Sequence, residues 1–350
     1  MVQIAARPAP RRAPVVATAV SRVGRLVRCQ VGGSHFALPL EQVAEVVALG
    51  AATTTAPRGW VGTLVRNERP VPIGDLAFLL GLTPASASRH DARAVILRGG
   101  PDDLLCGVTV ETVPTVHTSG DTPLQPLPLL ARSAATGLIQ GSIILGDELL
   151  LILAADTIRA RLAARIARAD DGRITELRSL PRCASGPGRP LVEQVRHQPQ
   201  ALPADLQVLL LASMETADGG SGFAPALPMT WVQEVRAWEA PRPLPHAPAA
   251  LAGLMIWRER TLPVIDLTQR LTGIPRTAHD GRQRLLIVGP QGAAPLGALI
   301  VPGVRGLQTI HTAGQGEQAL PETLDPTLFS AWTHHGADSV AVIDPAACFS

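Results

Sequence analysis

The chain carries one motif order twice, and that duplication limits what it can fold into. Ala37-Leu38-Pro39-Leu40 leads into Val43-Ala44-Glu45-Val46. The order returns 189 residues later as Ala226-Leu227-Pro228-Met229 and Val232-Gln233-Glu234-Val235. Downstream the offset is 191: Pro57, Gly62, Glu68, Arg69, Pro72, Asp75, Leu76 and Leu80 recur as Pro248, Gly253, Glu259, Arg260, Pro263, Asp266, Leu267 and Leu271. Arg93 and Ile96 recur as Arg284 and Ile287 at the same offset. Ten identities therefore fall in one ungapped window of about forty residues, where composition alone gives roughly two or three. Two copies of one fold follow, at residues 21–166 and 205–350, each of about 145 residues. Residues 167–204 are rich in Gly, Pro and charge and read as a linker with a helical start. A flexible linker of that length spans roughly 30–37 Å, about one domain's width. Residues 1–20 read as a disordered tail. The apolar stretch Val15–Val20 follows three arginines and three prolines and is too short for an export signal.

Each copy reads as strand-rich. Arg25–Val31 alternates, Gly32-Gly33-Ser34 turns, and His35–Leu38 resumes, which predicts a hairpin. Its counterpart is Asp205–Ser213, a turn at Asp218–Gly222, and Phe223–Leu227. Glu41–Val47 reads as a short helix or tight turn. Thr63–Val65 and Pro70–Ile73 predict a second hairpin around Asn67-Glu68. Asp75 is placed to cap a helix Leu76–Leu80 that Gly81 ends, and Asp266 to cap Leu267–Leu271. Ala94–Leu97, Leu105–Val110 and Leu149–Leu153 read as strands, the last running into an alanine-rich helix from Asp156. Ser339–Ile343 is the counterpart of the late strand. Many short strands between turns point to small β-barrels, two per copy, sharing one apolar seam.

Composition removes several function classes. A net charge of +2 gives no strongly basic nucleic-acid surface and no acidic tail. No run of 18 apolar residues exists, so no membrane insertion is expected. The chain has no lysine, hence no phosphate loop ending in Lys. Five Phe and five Trp do not interleave with basic stretches, so a stacking platform for single-stranded nucleic acid is missing. Nine histidines are scattered, and the close pair His334-His335 has no third ligand at short spacing. Cys29, Cys106, Cys183 and Cys348 are far apart in sequence and read as reduced apolar fillers. Asp75 and Asp266 recur, but capping accounts for both without catalysis. No cofactor, no metal and no enzymatic activity are expected. Arg159, Arg161, Arg165 and Arg168 flank an apolar stripe of Ile158, Leu162 and Ile166, which predicts a helix packed on its own domain. Trp60, Trp231, Trp238 and Trp257 lie near the recurring motifs, where they serve either core or contact. Glu45 and Glu234 recur and are candidates for a charged contact or a solvated face.

The recurring residues resemble the chemotaxis coupling-protein (CheW-like) family. That pattern runs as a strand, A-L-P-L, a V-x-E-V turn, then G-x-x-x-x-R-G-x-x-x-P-V-x-D-L. The first copy supplies Gly62, Asn67-Glu68, Pro72-Ile73 and Asp75-Leu76, and the second Gly253, Arg258-Glu259, Pro263-Val264 and Asp266-Leu267. A later G-x-x-V-D-x-V element is echoed by Gly107–Val113 with Glu111 at the Asp position, and near Ile300–Val304 with Pro302 there. The resemblance implies a mainly β fold of two domains, each a pair of five-stranded barrels with short helices. It implies a cytoplasmic adaptor, associated with membrane-attached receptor arrays, that bridges chemoreceptor tips to a histidine kinase. It places partner contacts near Val43, Glu45, Asn67 and Glu68 in the first copy, and near Val232, Glu234, Arg258 and Glu259 in the second. Only the second copy keeps the family's Arg, at Arg258, which implies tighter receptor binding there because Arg makes charge-assisted bonds that Asn cannot. A general scaffold for another two-component system, without receptor contact, is the alternative reading.

Overall fold

The structure is a computed structural model; it describes residues 24–49, 59–66, 68–82, 92–99, 105–113, 116–118, 122–134, 137–170, 202–215, 222–275, 281–311, 321, 324–335 and 338–350. The tail, Asn67, the turn at 218–221 and nearly all of the linker lie outside these residues.

The first copy runs β1 (Arg25–Val31), β2 (Ser34–Pro39), β3 (Val43–Ala48), β4 (Trp60–Arg66), β5 (Arg69–Asp75), α1 (Leu76–Leu80), β6 (Arg93–Leu97), β7 (Cys106–Val110) and β8 (Val116–Thr118). It ends with α2 (Leu129–Ala134), β9 (Ile139–Leu145), β10 (Glu148–Leu153) and α3 (Ala155–Asp170). The second copy repeats the plan. It runs β11 (Asp205–Leu211), β12 (Ala224–Pro228), β13 (Val232–Ala237), β14 (Leu251–Trp257), β15 (Arg260–Asp266) and α4 (Leu267–Thr272), then β16 (Arg284–Val288), β17 (Gly297–Val301), β18 (Val304–His311), β19 (Phe329–His335) and β20 (Asp338–Ile343). Each copy holds two five-stranded sheets. In the first these are a terminal sheet β8-β1-β2-β10-β9 and a hairpin sheet β3-β6-β7-β5-β4. In the second they are β18-β11-β12-β20-β19 and β13-β16-β17-β15-β14.

The hairpin β1/β2 and the helix caps stand where the sequence places them. Asp75 accepts from the Phe78 amide and Asp266 from the Gln269 amide, each satisfying an orphan helix donor. Gly81 and Gly273 end the two helices at φ 65° and 72°. Glu41–Val47 differs from expectation. A single 3-10 turn, Leu40–Gln42, leads directly into strand β3, because Val43 is buried and pairs with Leu97 of β6. Short helix propensity lost there to the sheet.

The sheets are open rather than closed barrels, yet they curl. In a flat five-stranded sheet the edge strands lie about 19 Å apart. Here Arg66 on edge strand β4 reaches Glu45 on the opposite edge strand β3 at 3.0 Å. The curl brings the edges face to face, and a side-chain pair spans the gap where a closed barrel would carry backbone bonds. Curling also explains why strands such as β6 and β17 are buried on both faces and read as continuous apolar runs. Each sheet wraps a small cluster of its own, such as Val71, Ile73, Ala94 and Ile96. Its other face joins one cluster that runs through both copies, from Leu38, Leu76 and Leu153 to Leu227, Leu267 and Ile343.

Helix α3 closes the first copy as expected. Ile158 and Leu162 are fully buried. A Cβ on Gly74 would clash with Leu162, so this glycine permits the helix's close approach. Arg165 lies over the rings of Phe78 (4.9 Å) and Trp60 (6.0 Å), which ties the helix to the hairpin sheet. Cys29, Cys106 and Cys348 are buried and free. Burial pushes the thiols of Cys29 and Cys348 up to about 12 and that of Cys106 up to about 11, so they sit neutral as core fillers. Cys183 lies outside the described residues.

The copies touch directly. Gln125 of the first donates to the Glu259 carbonyl (2.8 Å) and accepts from the Thr261 amide (3.1 Å) and hydroxyl (3.1 Å) of the second. Ser142 on β9 meets the Thr261 hydroxyl at 3.0 Å. The His246 Nε2 reaches the Leu79 carbonyl at 2.9 Å, an acceptor in the last turn of α1 that the helix itself leaves open.

Candidate functional site

The seam between the hairpin sheet's two edges is the surface on which the recurring motifs converge. In the first copy it carries the Glu45–Arg66 pair, flanked by Val46 on β3 and Val65 on β4. Val65 is 72% exposed, a large apolar side chain at an edge where alternation calls for a polar one. The Glu45 side chain is 51% exposed.

The second copy builds the same seam with different wiring. Trp257 stands at the position of Arg66, both being the last β-residue before the hairpin turn. Its indole N–H donates to Glu234 at 2.9 Å. Arg258 reaches the same carboxylate oxygen at 3.4 Å and stacks over the Trp257 ring at 4.4 Å, while Arg236 lies 3.6 Å from the other oxygen. Three side chains converge on Glu234, and its side chain is 34% exposed. Trp257 itself is buried in the hairpin sheet's own cluster. Val235 and Ile256 occupy the places of Val46 and Val65, and Val235 is exposed.

The hairpin tips set the geometry. Trp257 pairs with Arg260, leaving Arg258 and Glu259 as a two-residue turn with φ 45° and 62°. Positive φ at both central residues is the type I′ arrangement whose twist matches a right-handed hairpin. Glu68 in the first copy also has φ 62°. The related family pattern carries Gly at this position, and the backbone shows why. For Arg258 the stack on Trp257 and the pair with Glu234 offset a strained conformation of roughly 1–3 kcal/mol.

The sequence-derived site residues divide into three groups. Glu45, Glu68, Glu234, Arg258 and Glu259 lie on the seam or its hairpin tip. Val43 and Val232 are buried in the shared core, where they anchor β3 and β13. Asn67 lies outside the described residues. Sequence reasoning missed Arg66 and Val65, and it did not connect Trp257 to Glu234. The legible signal was alternation: Val65 breaks the polar-out pattern of β4, and Arg66 follows it directly.

Among the described residues, no three His, Cys, Asp or Glu side chains converge as a metal site, and no helix is long and apolar enough to cross a membrane. The seams offer apolar surface beside a fixed carboxylate, which is docking chemistry.

A sequence-family profile described as CheW-like domain matches residues 25–162 and 222–350, well over half of the chain. The chemotaxis protein CheW of Rhizobium meliloti (strain 1021) is 32% identical over 79 residues, covering 23% of this chain and 49% of that protein. The chain thus spans about half the length of the curated relative it matches. A crystal structure of the scaffolding protein TtCheW from Thermoanaerobacter tengcongensis aligns at 20% identity with a TM-score of 0.33, covering 37% of this chain and 88% of that one.

Proposed function

The chain belongs to the CheW-like domain family, in two copies, and on that premise we propose that it is a non-enzymatic adaptor coupling chemoreceptors to a histidine kinase. The observation that supports this most is the duplicated seam. In each copy a glutamate is held between the two curled edges of the hairpin sheet, beside exposed aliphatic side chains. Exposed Val46 and Val65 supply desolvation energy to a partner, and Glu45 with Arg66 supplies orientation. The partners on this reading are chemoreceptor cytoplasmic tips and a chemotaxis-type histidine kinase. The protein then acts in the cytoplasm, at membrane-attached receptor arrays. Glu45, Asn67 and Glu68 form the contact in the first copy, and Glu234, Arg258 and Glu259 in the second. The second seam binds more tightly, because its arginine is already stacked and oriented before a partner arrives.

Co-sedimentation of the full chain with receptor–kinase assemblies tests the reading. Val65→Glu alters a side chain that is mostly in solvent and leaves folding intact. It is expected to weaken binding by about tenfold or more if Val65 lies at the centre of the contact. Arg258→Ala is expected to weaken it further. Retained binding in both variants, with circular dichroism unchanged, sinks the seam. Binding to the kinase without any to receptors turns the reading toward a general two-component scaffold.

A further inference from the structure

Each terminal sheet has an edge strand beside its first strand. In the first copy the described part of that edge includes β8, Val116–Thr118. In the second, β18 runs for eight, Val304–His311, and among the described strands it pairs with β11 alone. Proteins blunt such edges with short strands, prolines, bulges or charge, because an unpaired row of N–H and C=O groups templates another strand. The one bulge here lies at the start, where the register shifts between Leu210 and Leu211 and leaves Arg305 unmatched. From Gly306 onward the ladder is regular, and the strand carries no Arg, Asp or Glu. Leu307 is 55% exposed in the middle of it, while Ile310 is buried beneath.

We propose that β18 is a self-association edge, on which a second molecule of this chain adds its own β18 antiparallel across a two-fold axis centred on Leu307. The strand's own sequence selects this occupant and this register. Centring on Leu307 stacks the two leucines against each other, the apolar cross-strand pair that antiparallel sheets favour. It sets each Arg305 opposite a Thr309 of the second molecule. The two Arg305 residues then lie about 13 Å apart along the strands, beyond the roughly 8 Å over which exposed charges interact at physiological salt. A shift that centres the axis on Gln308 instead sets Arg305 opposite His311, whose ring is already paired with Asp205, and leaves Leu307 against Thr309. The pairing joins two five-stranded sheets into one of ten strands. The contact is isologous, so it closes at a dimer and builds no filament. It also leaves all the hairpin seams free, so one dimer presents four of them.

Sedimentation and site-directed cross-linking of the full chain decide the matter. The wild-type mass is expected to double with rising concentration, and Leu307→Arg is expected to stay at the single-chain mass. In a Cys183→Ser background, the remaining cysteines are buried. There, Leu307→Cys is expected to form a disulfide-linked dimer on mild oxidation, and Thr309→Cys, which faces Arg305 rather than itself, is not. A wild type that stays at the single-chain mass at every concentration overturns the proposal. Equal cross-linking of the two cysteine variants also overturns it, since that shows chance collision rather than a register.

Discussion

The two hairpin seams come from one ancestral plan, and they solve the same problem with different chemistry. In the first copy Arg66 crosses the gap to Glu45, an ion pair with more than a third of each side chain in solvent. In the second, Trp257 takes the place of Arg66 and turns its ring inward, and only its N–H reaches Glu234. The positive charge that Arg66 supplies in the first copy comes from Arg258, one residue after Trp257, in the second. The requirement that persisted is a glutamate held at the meeting of two sheet edges. What changed is whether the holder also belongs to the core.

A second asymmetry gives the chain a direction. Thr261, which Gln125 and Ser142 grip, has Pro70 as its counterpart in the first copy. Proline has neither the amide hydrogen nor the hydroxyl that the grip uses. Ser142 in turn corresponds to Trp332, since each pairs with the equivalent residue of its neighbouring strand, Leu151 and Ala341. Trp332 packs against Phe223 instead. The first copy's terminal sheet is therefore built to hold the second copy's hairpin, and the described counterparts Trp332 and Pro70 cannot make the Ser142–Thr261 contact again. The two copies touch directly, rather than standing as beads that search for each other.

The largest effect expected from these differences is at the two equivalent seam positions. Trp257→Ala removes a buried ring and leaves the Glu234 carboxylate short of a donor, so a loss of about 3–5 kcal/mol is expected. Arg66→Ala breaks a partly solvated pair and should cost about 1 kcal/mol or less. Urea unfolding of the two variants measures both. Equal losses would mean that the two seams are wired alike after all.

Next comes the grip between the copies. Thr261→Pro gives the second hairpin the residue of the first and leaves the Gln125 carbonyl without its donors. The contact should weaken by about 1–3 kcal/mol. The two copies should then separate in small-angle scattering and melt as two transitions. An unchanged scattering profile would assign the docking to the His246 contact and the shared apolar core instead.

The smallest effect is a pH dependence at the same boundary. His35 is held below its ordinary value of 6.5, first by burial, then by Arg28 and, from the second copy, by Arg242; Glu148 opposes them. Its buried Nδ1 has no hydrogen-bond partner. A lowered folded value means that the unfolded chain takes up the proton first. The stability His35 contributes is therefore present above pH 6.5 and is lost as pH falls through its folded value. Arg242→Ala should shrink the loss, because it raises the folded value toward 6.5. Melting curves between pH 7 and 5 compare the two proteins. Identical acid sensitivity would remove the second copy from the account.

Sequence alone established the duplication, both hairpins and both helix caps, because each is written in residues within a few positions of one another. Asp75 needs only the Phe78 amide three residues on. A two-residue turn needs only its own φ angles. Where a local reading met the sheet it gave way: Val43–Val47 was drawn into β3 by pairing with β6, and the side chains of Val43 and Val232 are buried in the core. Tertiary structure decided everything that crosses a gap. The curl of the hairpin sheet brings Glu45 to Arg66, and the stacking of one copy on the other brings Gln125 to Glu259 across 134 residues. No spacing rule carries such contacts, because the distance between two sheet edges depends on how far all five strands twist together, and that is a property of their packing rather than of any one segment.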